Sequence, residues 1–136
     1  QEIIDKITPI HDTILNCAPV VSQYAALSAL QSEKRIVNNH YKIYKEQRER
    51  VGETLQKLNK YLTFIWPEGT YYFFPKIIGV SDSTSFCMDL FKKVRLAVVP
   101  GAAFGPGGEG HIRICFGRPT EDIAEGMKRL QFYFQN

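Results

Sequence analysis

Most of the patterns that identify a function on their own are missing from this 136-residue sequence. Its three cysteines show no CxxC or Cys/His spacing, which argues against a disulfide framework or a zinc site. There is no basic tract, no nucleic-acid-binding motif, no signal peptide and no apolar run long enough to span a bilayer. We therefore expect reduced thiols in a cytoplasmic protein, with neither nucleic acid nor a membrane as a partner.

Catalytic patterns are equally scarce. No arrangement of Ser, His and Asp, or of Cys and His, indicates a nucleophile, and no metal-ligand spacing is present. None of the ten lysines stands in the apolar surroundings that Schiff-base chemistry requires. The glycine-rich residues 101–110 lack the G-K-[ST] ending of a phosphate-binding loop and lead into a strand, so they predict a tight or flexible connection.

The sequence does contain enough apolar material for one domain of ordinary size. Hydrophobic residues make up 44% of it and aromatic residues 12%, while the formal net charge is only +3. The chain starts at Gln1, without Met and already within an amphipathic pattern. We therefore expect it to be a piece of a longer protein.

Three helices are predicted in the first half. The first covers residues 2–10, with Pro9 loosening its end. The second begins at Pro19 and should bury a face made of Val20, Tyr24, Leu27 and Leu30. The third, residues 33–61, carries one apolar stripe at alternating four- and three-residue spacing. An amphipathic helix lying against a sheet explains that stripe better than a coiled coil.

The second half alternates strands and helices. Short aromatic or β-branched runs bounded by turn residues predict strands at residues 63–66, 71–74, 96–99 and 111–116. One helix should be capped by a residue among 81–83 and another by Thr120, with a core face of Ile123, Met127, Leu130 and Phe134. This order predicts an α/β fold, a two-layer sandwich of a small, mainly antiparallel sheet with helices on one face, plus a long N-terminal helix.

Arg113 stands out in the last predicted strand. Strand alternation places His111, Arg113 and Cys115 on one face and three apolar residues on the other: Ile112, Ile114 and Phe116. A guanidinium among apolar neighbours needs a partner, and its planar fork suits a carboxylate or a phosphate. Three explanations remain open: an anionic ligand, a structural Asp or Glu, or a side chain pointing into solvent from an edge strand.

Residues 97–105 (AVVPGAAFG) and 108–114 (GEGHIRI) closely resemble the C-terminal signature of class I/II aminotransferases, the fold-type I enzymes that use pyridoxal phosphate (PLP). Residues 67–72 (PEGTYY) are similar to the family's P-x-G-x-[FY]-[FY] segment. Residues 16–30 resemble the helix after the family's large domain, and residues 120–130 resemble its last helix. Because these motifs keep the family's order over nearly the whole chain, the sequence is identified as the C-terminal, small-domain portion of such an enzyme.

The resemblance implies roles for particular residues. Arg113 would bind the α-carboxylate of an amino acid substrate. Tyr71 falls where an aromatic side chain lines the substrate pocket, although packing in the sheet explains it equally well. Asn16 and Cys17 fall in a loop that approaches the partner subunit's active site in these dimers, and a simple role in starting a helix explains them better.

The family's PLP lysine segment, the aspartate facing the pyridine nitrogen and most of the phosphate cup are not found in this sequence. We therefore expect no catalytic and no cofactor-binding residue here, and neither activity nor PLP binding from this chain alone. The resemblance implies that residues 1–31 end the large domain and supply connecting helices, and that residues 32–136 form the small domain.

For the full-length protein, the resemblance implies amino group transfer from an amino acid to a 2-oxo acid by a PLP-dependent homodimer. Two alternatives remain open. One is a PLP-dependent lyase with the same fold, and the other is a non-catalytic, effector-binding aminotransferase-like domain of a regulator.

Overall fold

The computed structural model describes residues 1–15 and 17–136, apart from the side chains of residues 33 and 36. Asn16, to which the resemblance gives a role, lies outside the described residues. The chain divides into two compact units, residues 1–40 and 41–136. The predicted boundary after residue 31 concerns the intact protein and stays a prediction.

The first unit contains helix α1 (Glu2–Ile14) and helix α2 (Val20–Gln31). Helix α1 is longer than predicted because it continues through Pro9, whose carbonyl accepts a hydrogen bond from the hydroxyl of Thr13 at 2.8 Å. None of the described residues of these two helices is buried. The prediction that α2 buries one face is wrong for this chain, since Val20, Tyr24, Leu27 and Leu30 are all at least 50% exposed. A 40-residue unit holds too little chain to cover them.

The second unit is an α/β structure. Helix α3 (Glu33–Lys57), which contains the division between the units, is followed by β1 (Leu62–Thr63), β2 (Tyr72–Phe73), β3 (Lys76–Ile77) and α4 (Ser83–Val94). After these come β4 (Val99–Pro100), two 3-10 turns (Gly101–Phe104 and Pro106–Gly108), β5 (Ile112–Cys115) and α5 (Thr120–Gln135). The described strands form an antiparallel sheet in the order β2-β5-β4 and an antiparallel β1-β3 pair. The predicted α/β fold with a mainly antiparallel sheet is confirmed.

One core joins the helices to the sheet. It combines the C-terminal part of α3 with the inner faces of α4, β5 and α5, and its fully buried members include Val51, Leu55, Leu90, Ile112 and Leu130. The predicted stripe on α3 is therefore buried only in its second half, because Val37 and Tyr41 are 55% and 65% exposed. Helix α3 also ends earlier than predicted, at Lys57.

The last two helices show one confirmed and one wrong prediction about their starts. The side chain of Asp82 caps α4 by accepting from the amide of Ser85 at 2.9 Å, within the predicted range. Thr120 does not cap α5, since the cap position is Pro119 and no side chain bonds there. The predicted core face of α5 is confirmed, with Ile123, Met127 and Leu130 buried and Phe134 packed against the core.

Candidate functional site

The candidate site lies on the outer face of β5, the central strand of the three-stranded sheet. Ile112, Ile114 and Phe116 are buried, while His111, Arg113 and Cys115 are half-buried on the opposite face. The predicted alternation is thus confirmed. Because β5 is paired on both sides, Arg113 does not stand on an edge strand.

The guanidinium of Arg113 contacts two aromatic rings. Its Cζ atom lies 4.3 Å from the ring centroid of Tyr72 and 4.8 Å from that of Phe104. Tyr72 belongs to β2, on one side of β5, and Phe104 belongs to the turn that follows β4, on the other side. The cation therefore contacts one ring from the neighbouring strand β2 and one from the turn after β4, through cation–π attraction.

Arg113 has no protein partner for its charge among the described residues. No ion pair to Arg113 is present there, and its Nε atom is buried without a hydrogen-bond partner. A structural Asp or Glu, the second explanation left open by the sequence, is therefore not seen. A buried donor without an acceptor is costly, so this side chain is suited to an anion supplied from outside the described residues.

Tyr71, the other predicted substrate-binding residue, does not contact the guanidinium. Its ring lies 4.4 Å from that of Tyr72 and 6.3 Å from that of Tyr44, and its edge packs against Gly117. Hydrogen bonding to the Tyr71 side chain is the largest cause that raises the pKa of Tyr72 above its ordinary value, followed by burial. Tyr71 therefore contacts Tyr72, and Tyr72 contacts the guanidinium.

Sequence reasoning missed Tyr72 and Phe104. Tyr72 could have been found from the pairing of the two strands, since an antiparallel partner of Cys115 lies diagonally beside Arg113 on the same face. Phe104 offered no such indication, because it reaches Arg113 from a loop. Its ring also packs edge-to-face on Phe74 at 5.7 Å, and Phe74 stacks on His111 at 5.0 Å.

The glycine-rich loop is tightly folded. Backbones of Gly101 and Gly108 lie so close that a Cβ on either residue would overlap the other. One Glu109 carboxylate oxygen accepts from the amides of Ser83 at 2.6 Å and Gly110 at 3.0 Å, and the Ser83 hydroxyl accepts from the amide of Ala102 at 3.1 Å. These bonds tie the loop to the start of α4, which confirms a tight connection.

An open cleft of about 490 Å³ continues along the same face of the sheet. Tyr72, Phe74, Lys76 and His111 are among the residues that line it. The imidazole of His111 is fixed through its Nδ1 atom, 3.0 Å from the carbonyl of Glu109. A carbonyl oxygen only accepts, so Nδ1 carries the proton of this bond.

The described residues contain no group of three or more side chains suited to a metal, and no helix long and apolar enough to cross a membrane. All ten lysines of the chain are exposed to solvent.

Comparison with known proteins agrees with this arrangement. The family model described as "Aminotransferase class I and II" matches residues 1–130. The (5-formylfuran-3-yl)methyl phosphate transaminase of Methanocaldococcus jannaschii is 35% identical, with 96% of this chain and 35% of the relative covered. The aspartate aminotransferase of Thermotoga maritima is 31% identical, with 100% and 34% covered.

A solved structure of an aspartate aminotransferase from Thermotoga maritima superposes with a TM-score of 0.81 at 30% identity, covering 99% of this chain and 34% of that one. The chain spans about a third of the length of these relatives.

Proposed function

Since this chain belongs to the class I and II aminotransferases, we propose that the intact protein transfers the amino group of an amino acid to a 2-oxo acid with the help of PLP, and that Arg113 binds the substrate α-carboxylate. The observation that carries this proposal is the state of Arg113. It is a half-buried guanidinium held by two rings, with a buried donor and no carboxylate partner among the described residues.

A carboxylate is a suitable ligand for a half-buried guanidinium that lacks an acidic partner. A guanidinium and a carboxylate form a planar, bidentate pair, and the pair strengthens where water is partly excluded. The Cζ atom of Arg113 lies 4.3 Å and 4.8 Å from the ring centroids of Tyr72 and Phe104, and its buried Nε still lacks an acceptor among the described residues.

PLP supplies the electron sink for this reaction when it is bound. We propose that the cofactor lysine lies in the two-thirds of the relatives' length that this chain does not span. This chain would then contribute substrate binding, and the remainder would contribute the cofactor site. The homodimer and the cytoplasmic location stay predictions, which sedimentation and fractionation of the intact protein would test.

The test is kinetic. In the intact protein, Arg113→Ala should lower kcat/KM for the amino acid by about two to three orders of magnitude, as expected for the loss of one partner of a partly buried charge pair. The absorbance of bound PLP should remain. A suitable control is Arg118→Ala, because Arg118 is an exposed arginine that pairs with Asp122 in its own segment. Unchanged kinetics in the Arg113 variant would contradict the proposal, and so would release of ammonia with no amino group transfer.

A further inference from the structure

The two rings around Arg113 come from separate and well-fixed parts of the unit. Tyr72 is held in β2 by its register with Cys115. Phe104 ends the first 3-10 turn, whose start is fixed by the close approach of Gly101 to Gly108. The ring of Phe104 is 50% exposed.

The rings restrict what the guanidinium can do. An arginine side chain has four soft torsions, and ordering it costs conformational entropy each time it binds a ligand. With its Cζ 4.3 Å and 4.8 Å from two aromatic ring centroids, the guanidinium has fewer orientations open to it before a ligand arrives. The rings also exclude water from the faces, which strengthens the bond to an anion.

We infer that Phe104 and Tyr72 are positioning residues for substrate binding: their rings fix the Arg113 guanidinium in the orientation that accepts a carboxylate. This inference rests on the proposed function, because it assigns the rings a role only through Arg113. It predicts that the rings affect the binding of the α-carboxylate and leave the rest of the reaction unchanged. We call Tyr72, Phe104 and Arg113 together the arginine clamp.

The test compares substrates with and without the α-carboxylate in the intact holoenzyme. One pair is L-phenylalanine and 2-phenylethylamine, and the other is L-aspartate and β-alanine. The ratio of kcat/KM within the pair that the wild type turns over reports the contribution of the α-carboxylate. The variants are Phe104→Leu and Tyr72→Leu, which remove the rings and keep apolar volume, and Phe104→Tyr and Tyr72→Phe, which keep them.

Each leucine variant should lower the ratio by about three- to thirtyfold, the size expected from a partly desolvated cation–π contact. The change should lie mainly in KM for the amino acid, with kcat at saturation and the rate with the amine nearly unchanged. The ring-preserving variants should restore the wild-type ratio. Phe132→Leu is the matched control, since Phe132 is an exposed phenylalanine of α5.

The outcomes separate this inference from the proposal on which it rests. If Arg113→Ala collapses the ratio and the leucine variants leave it unchanged, the clamp is wrong and the carboxylate anchor stands. If the leucine variants slow the amino acid and the amine equally, the rings are structural and the clamp is again wrong. If Arg113→Ala itself leaves the ratio unchanged, the proposed function of Arg113 fails.

Discussion

Trp66 packs directly against Gly52, so closely that its six-membered ring occupies the space where a Cβ of residue 52 would lie. The guanidinium of Arg48, one turn earlier on α3, lies 5.0 Å from the ring centroid of the same indole and donates to the carbonyl of Pro67 at 2.8 Å. This contact explains why an arginine interrupts the apolar stripe of α3. Its charged head covers an aromatic ring and does not enter the core.

A Gly52→Ala variant tests this packing. Alanine favours helix over glycine by about 1 kcal/mol, but here the new methyl group must displace the indole, and overpacking of this kind costs about 1–3 kcal/mol. We therefore expect the variant to be less stable than the wild type. The measurement is thermal unfolding of the intact protein.

Gly126→Ala is the matched control, because a Cβ there would meet only the Cδ1 atom of Leu96 at 3.4 Å, an ordinary contact. Gly126 lies within α5, so this variant should gain up to about 1 kcal/mol from helix propensity. Equal gains for both glycines would show that Trp66 does not press on Gly52.

Acid should weaken the connection between the glycine-rich loop and α4. Hydrogen bonds from the Ser83 amide and side chain, and from the Gly110 amide, hold the pKa of Glu109 below its ordinary value of 4.5. Since the folded pKa is depressed, this stabilisation is present above pH 4.5 and is lost as pH falls through the folded pKa. Wild type should therefore exceed Glu109→Gln in stability at neutral pH, and the difference should shrink in acid.

The matched control for this comparison is Glu49→Gln, an exposed glutamate of α3. The difference in free energy of unfolding between this variant and the wild type should stay constant across the same pH range. A Glu109→Gln difference that stays constant down to the acid limit would show that the carboxylate charge is not what the loop uses.

The regular part of this fold follows from local periodicity. The two-residue alternation of β5 and the helical spacing of α5 each predict the buried face, because a residue's side is fixed by the geometry of its own element. The strand β3 was missed because two residues, Lys76 and Ile77, are too few to show a period.

The site depends on contacts that local periodicity does not encode. Phe104 meets Arg113 only because the intervening loop folds into two 3-10 turns, and that loop is held by a bond between Ser83 and Glu109, which are 26 residues apart. Helix α2 shows the reverse case, in which local spacing predicted a buried face that the structure leaves exposed. Its spacing is that of a buried helix, but burial also requires chain to pack over it.

A hydrogen bond joins Tyr133 of α5 to Asp89 of α4, and we expect it to be lost in alkali. The hydroxyl of Tyr133 donates to Asp89 at 2.7 Å, and Lys93 pairs with the same carboxylate oxygen at 2.9 Å. Burial, then the bond to Asp89 and its charge, raise the pKa of Tyr133 from 10.0 to about 12. Because the folded pKa is raised, the stabilisation is complete below pH 10.0 and is lost as pH rises towards about 12.

Tyr133→Phe should therefore cost about 1 kcal/mol at neutral pH, the usual net value of one hydrogen bond. It should also remove a tyrosinate transition near pH 12 from an ultraviolet absorbance titration. Tyr61→Phe is the control, because no hydrogen bond of the Tyr61 hydroxyl is present among the described residues, and its ring stacks on Phe134 at 5.1 Å in either case. Loss of the same transition in both variants would contradict the assignment.

Thr70 holds the start of β2 in a strained conformation. Its φ of 66° lies in the left-handed region, which a β-branched residue adopts at a cost of about 1–2 kcal/mol. Its hydroxyl accepts a hydrogen bond from the amide of Tyr72 at 3.3 Å. The strained residue therefore helps to fix the backbone of Tyr72, one of the two aromatic residues of the clamp. Strain at this position is tolerated because Tyr71 and Tyr72 are packed beyond it.

Two substitutions of Thr70 separate strain from hydrogen bonding. Asparagine adopts the left-handed region readily and keeps a side-chain acceptor, so Thr70→Asn should raise stability by about 0.5–1 kcal/mol without changing the amino acid KM. Valine keeps the shape and the strain but loses the acceptor, so Thr70→Val should lower stability by about 1 kcal/mol and raise KM through Tyr72. If valine is neutral in both measurements, the hydroxyl does not position Tyr72, and if asparagine brings no gain in stability, residue 70 is not strained.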